Sequence, residues 1–295
     1  MIFYRSDKKS FTIEIESLEK VLKNADFVTL HIPKTGGTTL RDIIQYQYKS
    51  TKILTIPTLS ESKNIINNLS HNRMKYLDII QGHLQYGIHE KLNRNIKYFT
   101  IIRDPIKRIL STYYYIINQP NNPQNLSNAK KTMSIYDYIN SGINPFLING
   151  QTQLIAGNEC SIDDPYIKSS ELLEIAKNNI NENFIFAGIT EKFDESILLL
   201  KRMLNWKSPY YSKANQTKNK PDYNKIDINV RDFIKEHNQL DIDLYNYVRK
   251  LINKKIDEAG NDFLIELNRY RKINSIINPI FGYNRAKRFL SKYFN

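Results

Sequence analysis

Short apolar runs, each ending in a turn signal and followed by a helical pattern, organise most of the chain. Phe27, Val28, Leu30 and Ile32 form the first run, which is rich in β-favouring side chains and reads as an interior strand. Leu77 to His83 (LDIIQGH), Lys97 to Arg103 (KYFTIIR) and the start of Asn183 to Leu200 (NFIFAGITEKFDESILLL) repeat that signal. Gly36 and Gly37 break the first run, and Thr38 opens a helical pattern. After the third run, Asp104 and Pro105 mark a second helix start, an N-cap acid with Pro at the first helical position. Ile106, Ile109, Leu110 and Tyr113 then follow the i, i+3, i+4, i+7 spacing of a buried face. Strands alternating with helices predict an α/β fold whose parallel sheet binds its ligand at the carboxyl ends of the strands.

The turn after the first run carries candidate chemistry. A helix that starts at Thr38 leaves its first N–H groups unpaired and presents the positive end of its dipole. Lys34 and the hydroxyls of Thr35, Thr38 and Thr39 add donors, and the pattern predicts an anion or nucleotide phosphate there. In the GxxxxGK[ST] loop of ATP and GTP hydrolases the lysine follows the glycines, and the next hydroxyl holds magnesium. Here Lys34 precedes Gly36 and Gly37, and no Gly-Lys-Ser or Gly-Lys-Thr occurs in the chain. Arg103, at the exit of the third run, suits a terminal phosphate because its planar fork makes two charge-assisted hydrogen bonds. His83 is a candidate general base by its ordinary pKa of ~6.5, although a lone histidine is more often structural.

The order Pro-Lys-Thr-Gly-Gly-Thr-Thr from Pro33 to Thr39 resembles the 5′-phosphosulfate loop of sulfotransferases that use 3′-phosphoadenosine 5′-phosphosulfate. Within these, the match is nearest to carbohydrate enzymes of the heparan sulfate 2-O-sulfotransferase kind. Arg103, Asp104, Pro105, Arg108, Ser111 and Tyr113 match that family's 3′-phosphate pattern. The resemblance implies a P-loop-like three-layer fold, with a central, mainly parallel sheet flanked by helices. It implies that Lys34, Thr35, Gly36, Gly37, Thr38 and Thr39 hold the 5′ end of the co-substrate, and that Arg103 and Ser111 hold the 3′-phosphate. Asp104 is more simply read as a cap, and Arg108 as a solvated or salt-bridged helix residue. The run Gly82, His83, Leu84, Gln85, Tyr86, Gly87 resembles the family's catalytic-histidine segment, which implies His83 and Lys34 as catalytic residues. In the eukaryotic 2-O-sulfotransferases a histidine also precedes that glycine; here Gln81 stands there, and His83 is expected to act alone. Glu191 reads as an acid near a helix start. The Lys- and Asn-rich stretch from Lys207 to Lys225 resembles the family's closing loop, with Thr217 and Lys218 as contacts, and reads equally well as a solvated loop.

Composition narrows the alternatives. The 295 residues are 41% hydrophobic, enough for a substantial core, and the single Cys160 leaves no intrachain disulfide partner. We expect a sulfotransferase domain over 1–260 and an amphipathic helical extension over 261–295. The excess of 43 basic over 30 acidic residues, a net charge of +13, fits an acidic glycan, a nucleic acid or an anionic membrane surface. No nucleic-acid-reading motif is found, and the resemblance to the glycan-modifying group implies a glycan or polysaccharide acceptor, with lipid linkage a further option. Peripheral membrane contact through the last helix is open beside simple packing. The start MIFYRSDKKSF has no apolar signal-peptide core, so a cytoplasmic location is expected. No metal is expected. Rival readings are a metal-dependent nucleotide kinase or hydrolase, a basic nucleic-acid-binding module and, most weakly, a glycosyltransferase using Asp241 and Asp243.

Overall fold

The structure, a computed structural model, describes residues 26–92, 96–117, 133–157, 169–211 and 225–293, with side chains of the last helix described to residue 276. The described elements run β1 (Asp26–Leu30), α1 (Gly37–Gln47), β2 (Ile53–Ile56), α2 (Leu59–Asn67), α3 (His71–Lys75), β3 (Ile79–Gly82), α4 (Ile88–Leu92) and β4 (Ile96–Ile102). They continue as α5 (Pro105–Ile117), α6 (Ile135–Asn140), α7 (Gly150–Ala156), α8 (Ser169–Asn183), β5 (Phe184–Ile189), α9 (Phe193–Leu204), α10 (Ile228–Glu236) and α11 (Gln239–Tyr293). The five strands form one sheet in the order β2-β3-β1-β4-β5, and every described pairing is parallel. The α/β expectation holds, with helices flanking a central parallel sheet. β2, which the apolar runs did not reveal, is short, half-exposed and added at the edge.

β1 is central and buried on both faces: Val28 and Leu30 on one face and Thr29 on the other are at most 3% exposed. β1 leads by way of β2 to one side of the sheet, whereas β4 returns on its other side. The crevice above the carboxyl ends of β1 and β4 is therefore the switch point where ligands of such sheets bind. Helix starts obey local rules: Thr58, Ser70 and Ser134 cap α2, α3 and α6 by accepting from Glu61 N, Arg73 N and Asp137 N. The Asp104 carboxylate accepts from Lys107 N at 2.9 Å, so its reading as a cap is correct.

The chain from Gln239 to Tyr293 forms one helical element in which Gly260 takes a left-handed φ of +70°. Phe263, Leu267 and Tyr270 are at most 4% exposed and join the main core, and Arg271 pairs with Glu195 of α9 at 2.9 Å. The part of the C-terminal stretch up to residue 276 thus packs on the domain. No described helix is long and apolar enough to cross a membrane.

Candidate active site

Strand register assembles the site. Leu30 lies opposite Gly82 of β3 on one side and Thr100 of β4 on the other. One residue further, the His31 backbone N–H donates to Gly82 O at 2.9 Å, and the His31 and His83 rings stand 4.6 Å apart. His83 N in turn donates to Ile56 O at the end of β2. Gly82 has φ of +135°, and a Cβ there would lie 2.0 Å from the Ile56 carbonyl oxygen, so only glycine lets β3 deliver His83 to this position.

The loop after β1 is tightly wound. Lys34 adopts φ of +70° and Gly36 +86°, and the Thr35 hydroxyl, 2% exposed, donates to Ile32 O at 2.8 Å. Thr35 therefore spends its hydroxyl proton inside the loop. A Cβ on Gly37 would fall 1.7 Å from the His31 ring, so the imidazole occupies the space that a side chain would need. α1 has no side-chain cap and no acid in its first turn, while Thr38 is half-buried and Thr39 buried. That leaves a dipole terminus suited to an anion. The Lys34 ammonium rests 3.7 Å above the centroid of the Tyr115 ring.

Arg103 joins this loop from β4. Its Nη1 donates to Lys34 O at 2.9 Å, while its buried Nε has no hydrogen-bond partner. A buried guanidinium donor without a partner is costly unless a ligand oxygen meets it. Burial pulls the Arg103 pKa down, opposed by Glu191 and Asp104. Glu191 lies 3.4 Å from Asp104 N and so already occupies the α5 N-terminus. Ser111 is 4% exposed and lies one turn before Tyr115 on α5. Thr217 and Lys218 lie outside the described residues.

The histidines differ in electrostatics. Burial, with the His83, Arg41 and Lys34 charges added, pushes His31 down to about 3. Burial also lowers His83, aided by Arg41 and opposed by the His31 backbone carbonyl beside its ring. Both rings are neutral at pH 7, as an acceptor of protons must be. The unfolded chain takes up these protons near pH 6.5, and the folded chain binds them only at lower pH. Stability should therefore fall as the pH drops from 6.5 towards 3, by up to about 1.4 kcal/mol per pH unit for His31. Urea titrations across that range check this: His31→Asn should flatten the slope, and a slope identical to the parent's would refute it.

Residues 20–248 match the family model described as the sulfotransferase family. The chain belongs to that family. Among its relatives, the Caenorhabditis elegans heparan sulfate 2-O-sulfotransferase hst-2 is 24% identical over 57% of this chain and 57% of its own length. The human uronyl 2-sulfotransferase is 28% identical over 53% of this chain and 39% of its own. The chain thus spans about half the length of the relatives it matches. A crystal structure of the mouse sulfotransferase SULT7A1 complexed with PAP aligns over 94% of both chains at 14% identity, with a TM-score of 0.37.

Residues around the candidate site take roles that the sequence left open or did not show. Arg108 is salt-bridged, as read, but it is not solvated: it is 2% exposed and its Nη2 lies 3.4 Å from the Asp241 carboxylate, itself 0% exposed. Removing one partner of such a pair typically costs about 3–5 kcal/mol. Asp241, the residue weighed for a glycosyltransferase, also accepts from Gln151 N, Thr152 N and the Thr152 hydroxyl, so its oxygens are engaged within the fold. The Thr190 hydroxyl lies 3.2 Å from Thr35 O and 3.0 Å from Ile102 O, joining the β5 exit to the glycine loop. Thr190 stands in the Gly-Ile-Thr-Glu turn that marks the end of β5, a visible cue. Gln151 and Tyr115 give no comparable signal, because their roles depend on elements distant in sequence. Among the described residues, no group of three His, Cys, Asp or Glu side chains could hold a metal.

Proposed function

We propose that this sulfotransferase moves a sulfo group from 3′-phosphoadenosine 5′-phosphosulfate to a hydroxyl of a carbohydrate, with His83 as general base. The observation that carries this reading is the meeting of three strand ends: His83 beside the glycine loop, and Arg103 hydrogen-bonded to Lys34 O across from it. The uncapped α1 terminus and Lys34 suit the 5′-phosphosulfate, and the unpartnered Arg103 Nε with the buried Ser111 suits the 3′-phosphate. The neutral His83 takes the acceptor proton while the acceptor oxygen bonds to sulfur, and the bond from sulfur to the bridging oxygen breaks. Negative charge then gathers on the departing bisphosphate, where Lys34 and the α1 amides stabilise it. A His83 N–H turned to the His31 carbonyl leaves the other ring nitrogen to accept that proton.

A glycan acceptor is supported by the names of the relatives and by the net charge of +13, which favours an anionic polymer. Ligand-dependent melting tests the donor. Adenosine 3′,5′-bisphosphate at ~100 times its dissociation constant should add about 2.7 kcal/mol, a rise of about 4 °C for a chain of this length, without magnesium. Stabilisation only by ATP with magnesium would favour the kinase reading instead.

A further inference from the structure

β4 pairs with β5 as far as Ile102, opposite Ile189, so Arg103 is the first residue beyond the sheet. Its peptide groups are nevertheless paired. The Gln151 side-chain amide accepts from Arg103 N at 2.9 Å through Oε1 and donates to Arg103 O at 2.8 Å through Nε2. One amide thereby acts as an extra rung of the sheet, holding the Arg103 backbone as a neighbouring strand would. Gln151 is 0% exposed, and its own position is set from behind. Its N–H donates to the Asp241 carboxylate at 3.2 Å, which also takes two bonds from Thr152, each 2.8 Å. Reciprocally, the Asn149 side chain accepts from Leu240 N and Asp241 N, so the first turns of α7 and α11 cap one another. The guanidinium end of Arg103 is tied to Lys34 O.

We infer that Gln151 is the positioning residue that aims Arg103 at the 3′-phosphate and thereby sets the preference for donors carrying one. This rests on the reading of Arg103 given above. A free Arg103 backbone would let its side chain, anchored only at Lys34 O, swing away from the direction that two charge-assisted bonds to a phosphate require. The amide contributes no contact to the nucleotide itself, and its loss should weaken recognition of the 3′-phosphate alone.

Calorimetry with two nucleotides tests this, the readout being the ratio of the dissociation constant of adenosine 5′-phosphate to that of adenosine 3′,5′-bisphosphate. Gln151→Met, close in shape and unable to pair the peptide, should lower that ratio about tenfold while changing adenosine 5′-phosphate affinity less than about twofold. Equal weakening of both nucleotides, as a purely structural role would give, overturns the inference, and so does an unchanged ratio. Arg103→Ala distinguishes the two levels of the argument. If it collapses the ratio and Gln151→Met does not, the positioning role fails while the donor site stands. If it leaves the ratio unchanged, the donor-site reading itself fails. Should the methionine variant not fold, Gln151→Asn, which keeps an amide one methylene short of Arg103, carries the same test with the same expected fall.

Discussion

His83→Ala should lower kcat by ~10²–10⁴-fold while changing bisphosphate affinity less than about twofold, because a general base acts in the transition state and not on the bound donor. The geometry makes this asymmetry specific. His83 reaches the site from β3, the strand opposite the one that supplies Arg103, and its backbone is held by Ile56 O independently of the ring. Alanine therefore removes the imidazole without moving the glycine loop. Burial and Arg41 lower the His83 pKa, so the neutral form persists below the ordinary value of ~6.5. Single-turnover rates with saturating donor, set beside calorimetry of the bisphosphate, check both halves of this expectation. Near-parental turnover in the alanine variant would assign the proton transfer elsewhere.

Lys34→Ala should damage binding and rate together. Loss of a charge-assisted contact to the donor typically weakens binding by roughly 10–100-fold, and loss of charge at the leaving oxygen lowers kcat by a further ~10²-fold or more. The ammonium lies over Tyr115, 3.7 Å from the ring centroid. Its backbone is also unusual: φ of +70° is a strained conformation for lysine, held by Arg103 Nη1 on its carbonyl and by the Thr35 turn behind it. Alanine retains that backbone cost, so the loss reports the ammonium. Steady-state kinetics varied in donor, with the bisphosphate as competitive inhibitor, separate the two effects. An unchanged inhibition constant would place Lys34 outside the donor site.

Much of the site was legible because its parts are local. Glycines that admit left-handed φ, a lysine before them, an Asp-Pro helix start and a histidine after an apolar run are each read within a few residues, and all lie at the carboxyl ends of one sheet. The Arg108 environment was legible only in part: a helical arginine was expected to be salt-bridged or solvated, and burial against Asp241 decides between them. β2 was missed because an edge strand of four residues, with one buried, one exposed and two between, is too short for its pattern to stand out.

What the sequence determined by itself are the segments that build their own backbone, since turn chemistry and hydrophobic period act between near neighbours. They set the alternating strands and helices, the strained glycine loop and the identities of Lys34, His83 and Arg103. The tertiary structure alone decided which of these ends meet. Parallel register put His31 against His83, and Gln151 and Asp241, some 48 and 138 positions from Arg103 along the chain, became the support of that arginine. Such pairings depend on a buried amide or carboxylate finding partners across the core. No local pattern encodes that requirement, because desolvation makes it binding only once the chain has closed around those groups.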